Sequence, residues 1–201
     1  MQDILCATYR IQFQPEFTFF DAAHILGYLA DLGVSHVYTS PYLQAAKGST
    51  HGYDVVNYTK VNRELGGADG HERFLEALKK RGMGQVIDIV PNHMAITGSE
   101  NVWWWDVLEN GQSSQYASFF DVDWDPAECR FGNKILLPIL GDHFGRVLEN
   151  GEISLERDQG GFFIRYHENL FPVCPRSLAP LIARAGEDIS SRELLFLADA
   201  L

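Results

Sequence analysis

The chain has 201 residues, 46% hydrophobic and 12% aromatic, enough for one domain core or a share of a larger one. Sixteen Lys and Arg against 27 Asp and Glu leave a formal net charge of −11, which argues against a nucleic-acid binder that tracks phosphates with a basic face. No apolar run is long enough to span a membrane, and the start, Met1-Gln2-Asp3-Ile4, lacks the basic and apolar regions of a signal peptide. The three scattered cysteines, Cys6, Cys129 and Cys174, form no CxxC pair and suggest reduced, buried thiols in a cytoplasmic protein.

Thr8 to Phe13 carries β-branched and aromatic residues and predicts a first strand. Thr18 and Asp21 are spaced as a capping box, and Ala22, Ile25, Leu26 and Leu29 follow at helical spacing until Gly33 stops the helix. His36 to Ser40 predicts a second strand, running into Pro41. A polar loop follows, through Lys47-Gly48-Ser49-Thr50-His51-Gly52-Tyr53-Asp54. Asp69 and Glu72 suggest a second capping pair, with Phe74, Leu75 and Leu78 as the apolar stripe. Lys79, Lys80 and Arg81 complement the dipole in the last turn.

Gly82 and Gly84 lead into the most informative stretch, Gln85-Val86-Ile87-Asp88-Ile89-Val90-Pro91-Asn92-His93. Its near-continuous apolar run predicts a third strand, Gln85–Val90, buried on both faces as in a parallel sheet. The order strand–helix–strand–helix–strand implies adjacent parallel strands with right-handed crossovers. Met94 to Pro126 is aromatic, with Trp103, Trp104, Trp105, Tyr116, Phe119, Phe120 and Trp124, and predicts irregular structure. Asn150-Gly151, between Val147 and Leu155, predicts a hairpin turn; after Gly160-Gly161, Phe162–Tyr166 predicts another short strand. Helical spacing returns from Ser177 through Leu178, Leu181 and Ile182, and a new amphipathic segment starts at Ser190.

Parallel strands bring several groups to one mouth: Arg10 and Gln12 from strand one, His51, Tyr53 and Asp54 from the loop after strand two, and Asp88, Asn92 and His93 from strand three. Carboxylates, amides and imidazoles bond hydroxyls, and a tyrosine face stacks on the apolar side of a pyranose, so the mixture suits a carbohydrate. Each residue also admits a plainer role. Asp88 can brace loops, Asn92 can hold the Pro91 turn, and His51 with Asp54 can order their own loop. His93 can be a surface histidine, and Tyr53 and the tryptophans can be packing. Retaining glycoside chemistry needs two carboxylates about 5–5.5 Å apart, and neither Asp54 nor Asp88 has an obvious carboxylate partner.

At His51-Gly52-Tyr53-Asp54 and Asp88-Ile89-Val90-Pro91-Asn92-His93 the chain resembles the α-amylase superfamily of glycoside hydrolases. The finer resemblance is to the maltooligosyltrehalose synthase family. It rests on Ala7–Phe13, Leu32–Pro41, Gly48–Val55, Asn62–Gly67, Trp103–Gly111, Lys134–Gly141 and Phe171-Pro172. The resemblance implies an α/β fold: the N-terminal part of a (β/α)8 barrel with an aromatic-rich, partly antiparallel insertion after strand three. It implies residues 1–95 as the first three βα elements, 96–175 as the insertion and 176–201 as a truncated helical segment. It implies an intramolecular glucosyltransferase that converts the reducing-end α-1,4 linkage of maltooligosaccharides to α,α-1,1, without cofactor or metal.

By the same resemblance Tyr53, His93, His51 and Asp54 bind substrate, and Asp88, Asn92 and Arg10 organise the site. The family's catalytic carboxylates sit on later strands, and no Gly-Leu-Arg-x-Asp pattern occurs before Leu201. A complete barrel takes about 250 residues. The chain therefore reads as part of such an enzyme, inactive alone and completed by the rest of the barrel. Its open sheet edge and uncovered helix faces imply poor solution behaviour. An α-glucan hydrolase of the same superfamily and a non-catalytic carbohydrate-binding module remain the alternatives.

Overall fold

The computed structural model describes residues 4–96, 98–128, 132–158 and 161–201. The expectations placed on Met1–Asp3, on the Cys129 thiol and on the Gly160 spacer lie outside these residues. The chain divides after Ile96 into two compact units.

The first unit begins with β1 (Thr8–Ile11), α1 (Phe19–Asp31), β2 (His36–Thr39), β3 (Leu43–Ala45) and β4 (Val55–Val61). The turn of 3₁₀ helix at Arg63–Leu65, α2 (Gly67–Lys80) and β5 (Gly84–Ile87) complete its regular structure. The strands β1, β2 and β5 form a parallel sheet in that order, as the alternation of strand and helix predicts. Register sets Arg10 beside Tyr38 and Tyr38 beside Val86. Strand side chains alternate with period two, so Gln12 and Asp88 continue that row on the same face. The neighbouring rows carry Ile11, Val37 and Thr39 to the other face, where α1 and α2 cover them.

Ala22, Leu26 and Leu29 of α1 and Phe74 and Leu78 of α2 are fully or nearly fully buried there, with Phe13 and Phe19. The Phe13 and Phe19 rings lie 4.7 Å apart, and Phe74 meets Phe13 edge-on at 5.7 Å. The Asp21 carboxylate accepts from the backbone N–H and the hydroxyl of Thr18, fixing the start of α1 as its sequence implies. Gly33, at φ +82°, ends it.

Four expectations for this unit are corrected. The third strand is not buried on both faces: Val86, Ile87 and Ile89 are exposed, because β5 pairs only with β2 among the described strands. Leu75 is exposed, outside the α2 stripe. The start of α2 is not Asp69 with Glu72; Gly66 at φ +105° is the N-cap, and Asp69 lies within the first turn. The polar loop after strand two is flanked by an antiparallel hairpin, β3 with β4, that the reading above lacks.

The second unit holds α3 (Val102–Asn110), α4 (Phe144–Glu149), an antiparallel sheet of β6 (Ile153–Asp158), β7 (Gly161–Tyr166) and β8 (Asn169–Pro172), then α5 (Pro175–Asp188) and α6 (Arg192–Ala200). The expected irregular stretch thus contains a helix. The buried Asn101 caps it, its side-chain oxygen accepting from Trp104 N–H at 3.1 Å. Of the adjacent tryptophans only Trp104 is buried, with Val107 one turn on. Asn150-Gly151 is not a hairpin turn: Asn150 caps the C-terminus of α4, and Gly151 follows at φ +70°. The antiparallel sheet begins after it. The buried-thiol expectation also fails, since Cys6 is exposed and Cys174 half-buried, both free. Among the described residues no helix is long and apolar enough to cross a membrane.

Candidate functional site

The face that carries Arg10, Gln12, Tyr38 and Asp88 ends in a convergent polar cluster. One carboxylate oxygen, Oδ2 of Asp88, accepts from the Tyr53 hydroxyl at 2.5 Å, the Tyr38 hydroxyl at 3.2 Å and an Arg10 Nη at 3.4 Å. Arg10 also reaches the Tyr53 oxygen at 3.3 Å and the Gln12 side chain at 3.2 Å. Its guanidinium lies over the Tyr38 ring, 4.8 Å from the centroid, a cation–π contact. These bonds set the protonation states. The Tyr53 hydroxyl, then Tyr38 and Arg10, hold the Asp88 carboxyl below the usual carboxylate range. The same carboxylate pushes the Tyr53 phenol up, so Tyr53 stays a donor. Asp88 is therefore an anion committed to three donors, suited to organising a site rather than to attacking a substrate.

Tyr53 reaches this cluster because of the loop before it. Gly52 sits at φ +78°, and a Cβ there would lie 2.2 Å from the Pro41 carbonyl oxygen. Only glycine lets the backbone press against the end of β2 in this conformation. The Ser49 hydroxyl donates to Asp54, and Gly52 N–H donates to the Ser49 oxygen. Gln12 donates to the carbonyls of Thr50 and His51 at 3.3 and 3.4 Å. The Nδ1 of His51 accepts from Tyr53 N–H at 3.0 Å. A nitrogen that accepts carries no proton, so its 3.7 Å approach to Asp54 is not an ion pair in this geometry. The imidazole then offers Nε2–H to a ligand. Tyr53 remains 37% exposed, leaving part of its ring open.

The structure thus joins Arg10, Tyr53 and Asp88 directly and ties His51 and Asp54 into the supporting loop. Asn92 and His93 are exposed on the segment beyond β5, and the described contacts do not join their side chains to the cluster. The Tyr58 hydroxyl bonds the carbonyls of Val90 and His93 at 2.6 and 2.7 Å, holding that segment from β4. Beside it Pro41, Tyr42, Leu43, Val55 and Ile87–Val90 line a hollow of about 200 Å³, apolar except for Asp88. Sequence reasoning missed Tyr38 and Tyr58. Period-two alternation from Asp88 and the register-mate Arg10 would have found Tyr38. The β-branched run Val55–Val61 would have found the strand that carries Tyr58.

A parallel sheet with a polar cluster at the C-terminal ends of its strands is an arrangement of α/β barrel enzymes. The chain matches the family described as alpha amylase, catalytic domain, over residues 23–150, and it belongs to that family. Within it the chain is similar to proteins described as maltooligosyl trehalose synthases. A Mycobacterium tuberculosis protein assigned as a maltooligosyl trehalose synthase is 46% identical over 177 residues, 85% of this chain and 22% of that protein. The solved maltooligosyltrehalose synthase from Arthrobacter ramosus is 44% identical with a TM-score of 0.73, over 84% of this chain and 21% of that one. The solved DSM5389 glycosyltrehalose synthase is 37% identical with a TM-score of 0.75, over 96% of this chain and 26% of that one. The chain spans about a fifth of the length of the curated relatives it matches.

Proposed function

We propose that the protein acts on maltooligosaccharides as an intramolecular glucosyltransferase, converting the reducing-end α-1,4 linkage to α,α-1,1. The observation that carries this reading is the Arg10–Tyr53–Asp88 cluster. It is a rigid, hydrogen-bonded platform with an open aromatic face at the end of three parallel strands, in a chain similar to synthases. Tyr53 stacks on the sugar at the cleavage point, and His93 and the Nε2–H of His51 bond its hydroxyls. Asp54 binds through the same loop, while Asp88, Asn92 and Arg10 hold the site in shape. Hydroxyl bonding of this kind strengthens as positive charge develops on the ring.

Asp88, the carboxylate of the described cluster, is taken up by Tyr53, Tyr38 and Arg10, so in this reading the carboxylates that form and resolve a glycosyl-enzyme intermediate are not those of the cluster. We place the protein in the cytoplasm on its sparse cysteines, of which Cys6 and Cys174 are free among the described residues. The test is product analysis of the full-length protein with maltopentaose. Loss of reducing ends without release of glucose or maltose supports the transferase. Release of glucose and maltose points to a hydrolase of the same family.

A further inference from the structure

Asn92 and His93 lie on a segment that has left the sheet, so something other than strand pairing must hold it. The ties come from β4. The Tyr58 hydroxyl lies 2.6 Å from the carbonyl oxygen of Val90 and 2.7 Å from that of His93, and Ala95 N–H donates to the Val55 carbonyl at 2.9 Å. A hydroxyl has one proton, so the two carbonyls share it, and the two atoms they belong to are drawn together around Pro91 and Asn92. The pairing of β4 with β3 fixes the backbone from which the phenol reaches. Burial pushes the Tyr58 phenol up, which keeps it a donor.

We propose that Tyr58 is a positioning residue: its hydroxyl closes the Val90–His93 turn, which keeps Asn92 in place and aims His93 at the bound sugar. The hairpin that the loop sequence interrupts is then a brace for the site as well as a frame for the Tyr53 loop. This inference rests on the proposed role of His93. It predicts a loss in turnover rather than in ground-state affinity, because a hydroxyl bond that strengthens in the transition state is the one most sensitive to aim.

The experiment compares Tyr58→Phe, His93→Ala and the double variant in the full-length protein with maltopentaose. Tyr58→Phe keeps the ring and removes only the hydroxyl. It lowers kcat roughly tenfold or more while KM stays within about twofold. The double variant loses clearly less than the two single losses combined, since both changes disable the His93 contact. Amide exchange at Asn92–Ala95 quickens in Tyr58→Phe. Turnover within about twofold of wild type, or additive losses in the double variant, overturns the proposal. Should His93→Ala itself leave turnover unchanged, the sugar-binding reading fails, and exchange decides the clamp alone. Faster exchange at Asn92–Ala95 then supports it and unchanged exchange overturns it.

Discussion

The two units differ in how their apolar residues are spent. In residues 4–96 three phenylalanines, Phe13, Phe19 and Phe74, are at most 1% exposed and pack ring against ring beneath the parallel sheet. Among the described residues of the second unit the buried apolar side chains are spread over separate elements, Trp104 and Val107 on α3, Val147 on α4 and Tyr166 on β7. There Leu136, Phe144, Ile189 and Phe196 stand in solvent. The contrast teaches why the polar cluster is found in the first unit. Three donors can converge on one Asp88 oxygen only if the strands beneath them are held by a close-packed core.

The largest expected effect tests that contrast directly. Phe74→Ala lowers the opening free energy of amides in α1 and α2 by about 3–5 kcal/mol, the cost of a buried aromatic cavity. Phe196→Ala, at a position 78% exposed, changes exchange in α5 and α6 by less than about 0.5 kcal/mol. Comparable losses at both sites break the comparison.

Glycines sharpen it. Gly52→Ala meets the Pro41 carbonyl as well as an unfavourable φ, and costs about 2–4 kcal/mol, read from amide exchange in β3 and β4. Gly151→Ala has a similar φ with nothing within 4 Å, and costs about 1 kcal/mol in the exchange of α4. Equal costs would mean that the loop does not press on β2.

The smallest effect is electrostatic. Asp88 and Glu156 both titrate below their ordinary values of 3.8 and 4.5, the first held by Tyr53, Tyr38 and Arg10, the second by Arg165 at 2.6 Å. A carboxyl depressed on folding adds stability above its unfolded pKa and loses it as pH falls through its folded pKa. Asp88 therefore keeps its charge, and the cluster its three donors, to lower pH than a free carboxylate would. The Asp88 side chain is 19% exposed and that of Glu156 39%, so added salt moves Glu156 back toward its ordinary value more than Asp88. NMR titration with and without salt measures this, and Tyr53→Phe raises the Asp88 value. A larger salt response at Asp88 would contradict its sheltered placement.

The parallel sheet was legible because Asp21 caps, Gly33 stops and the Leu26–Leu29 spacing agree with one another, each local signal pointing to the same helix. The site's outline was legible because polar residues at strand ends are conspicuous in apolar runs, as with Asp88. What failed was context. Asn150-Gly151 serves a helix end as readily as a hairpin, since both require a residue at positive φ. Trp103–Trp105 obscured α3, whose signal was the Asn101 cap rather than its apolar period. The exposure of Val86 and Ile87 could not be read from composition, because an edge strand and a central strand share the same sequence pattern. Tyr58 was hidden because β4 follows directly on the polar loop, with no helix between it and β2 to announce a new strand.

The central claim is that the Asp88 cluster presents Tyr53 as a platform for a maltooligosaccharide. Calorimetric titration of the full-length protein with maltopentaose, wild type against Tyr53→Ala, tests it most directly. The account predicts binding at least about tenfold weaker in the variant, the loss of about 1.4 kcal/mol of stacking. Unchanged affinity in a variant that remains folded would contradict it.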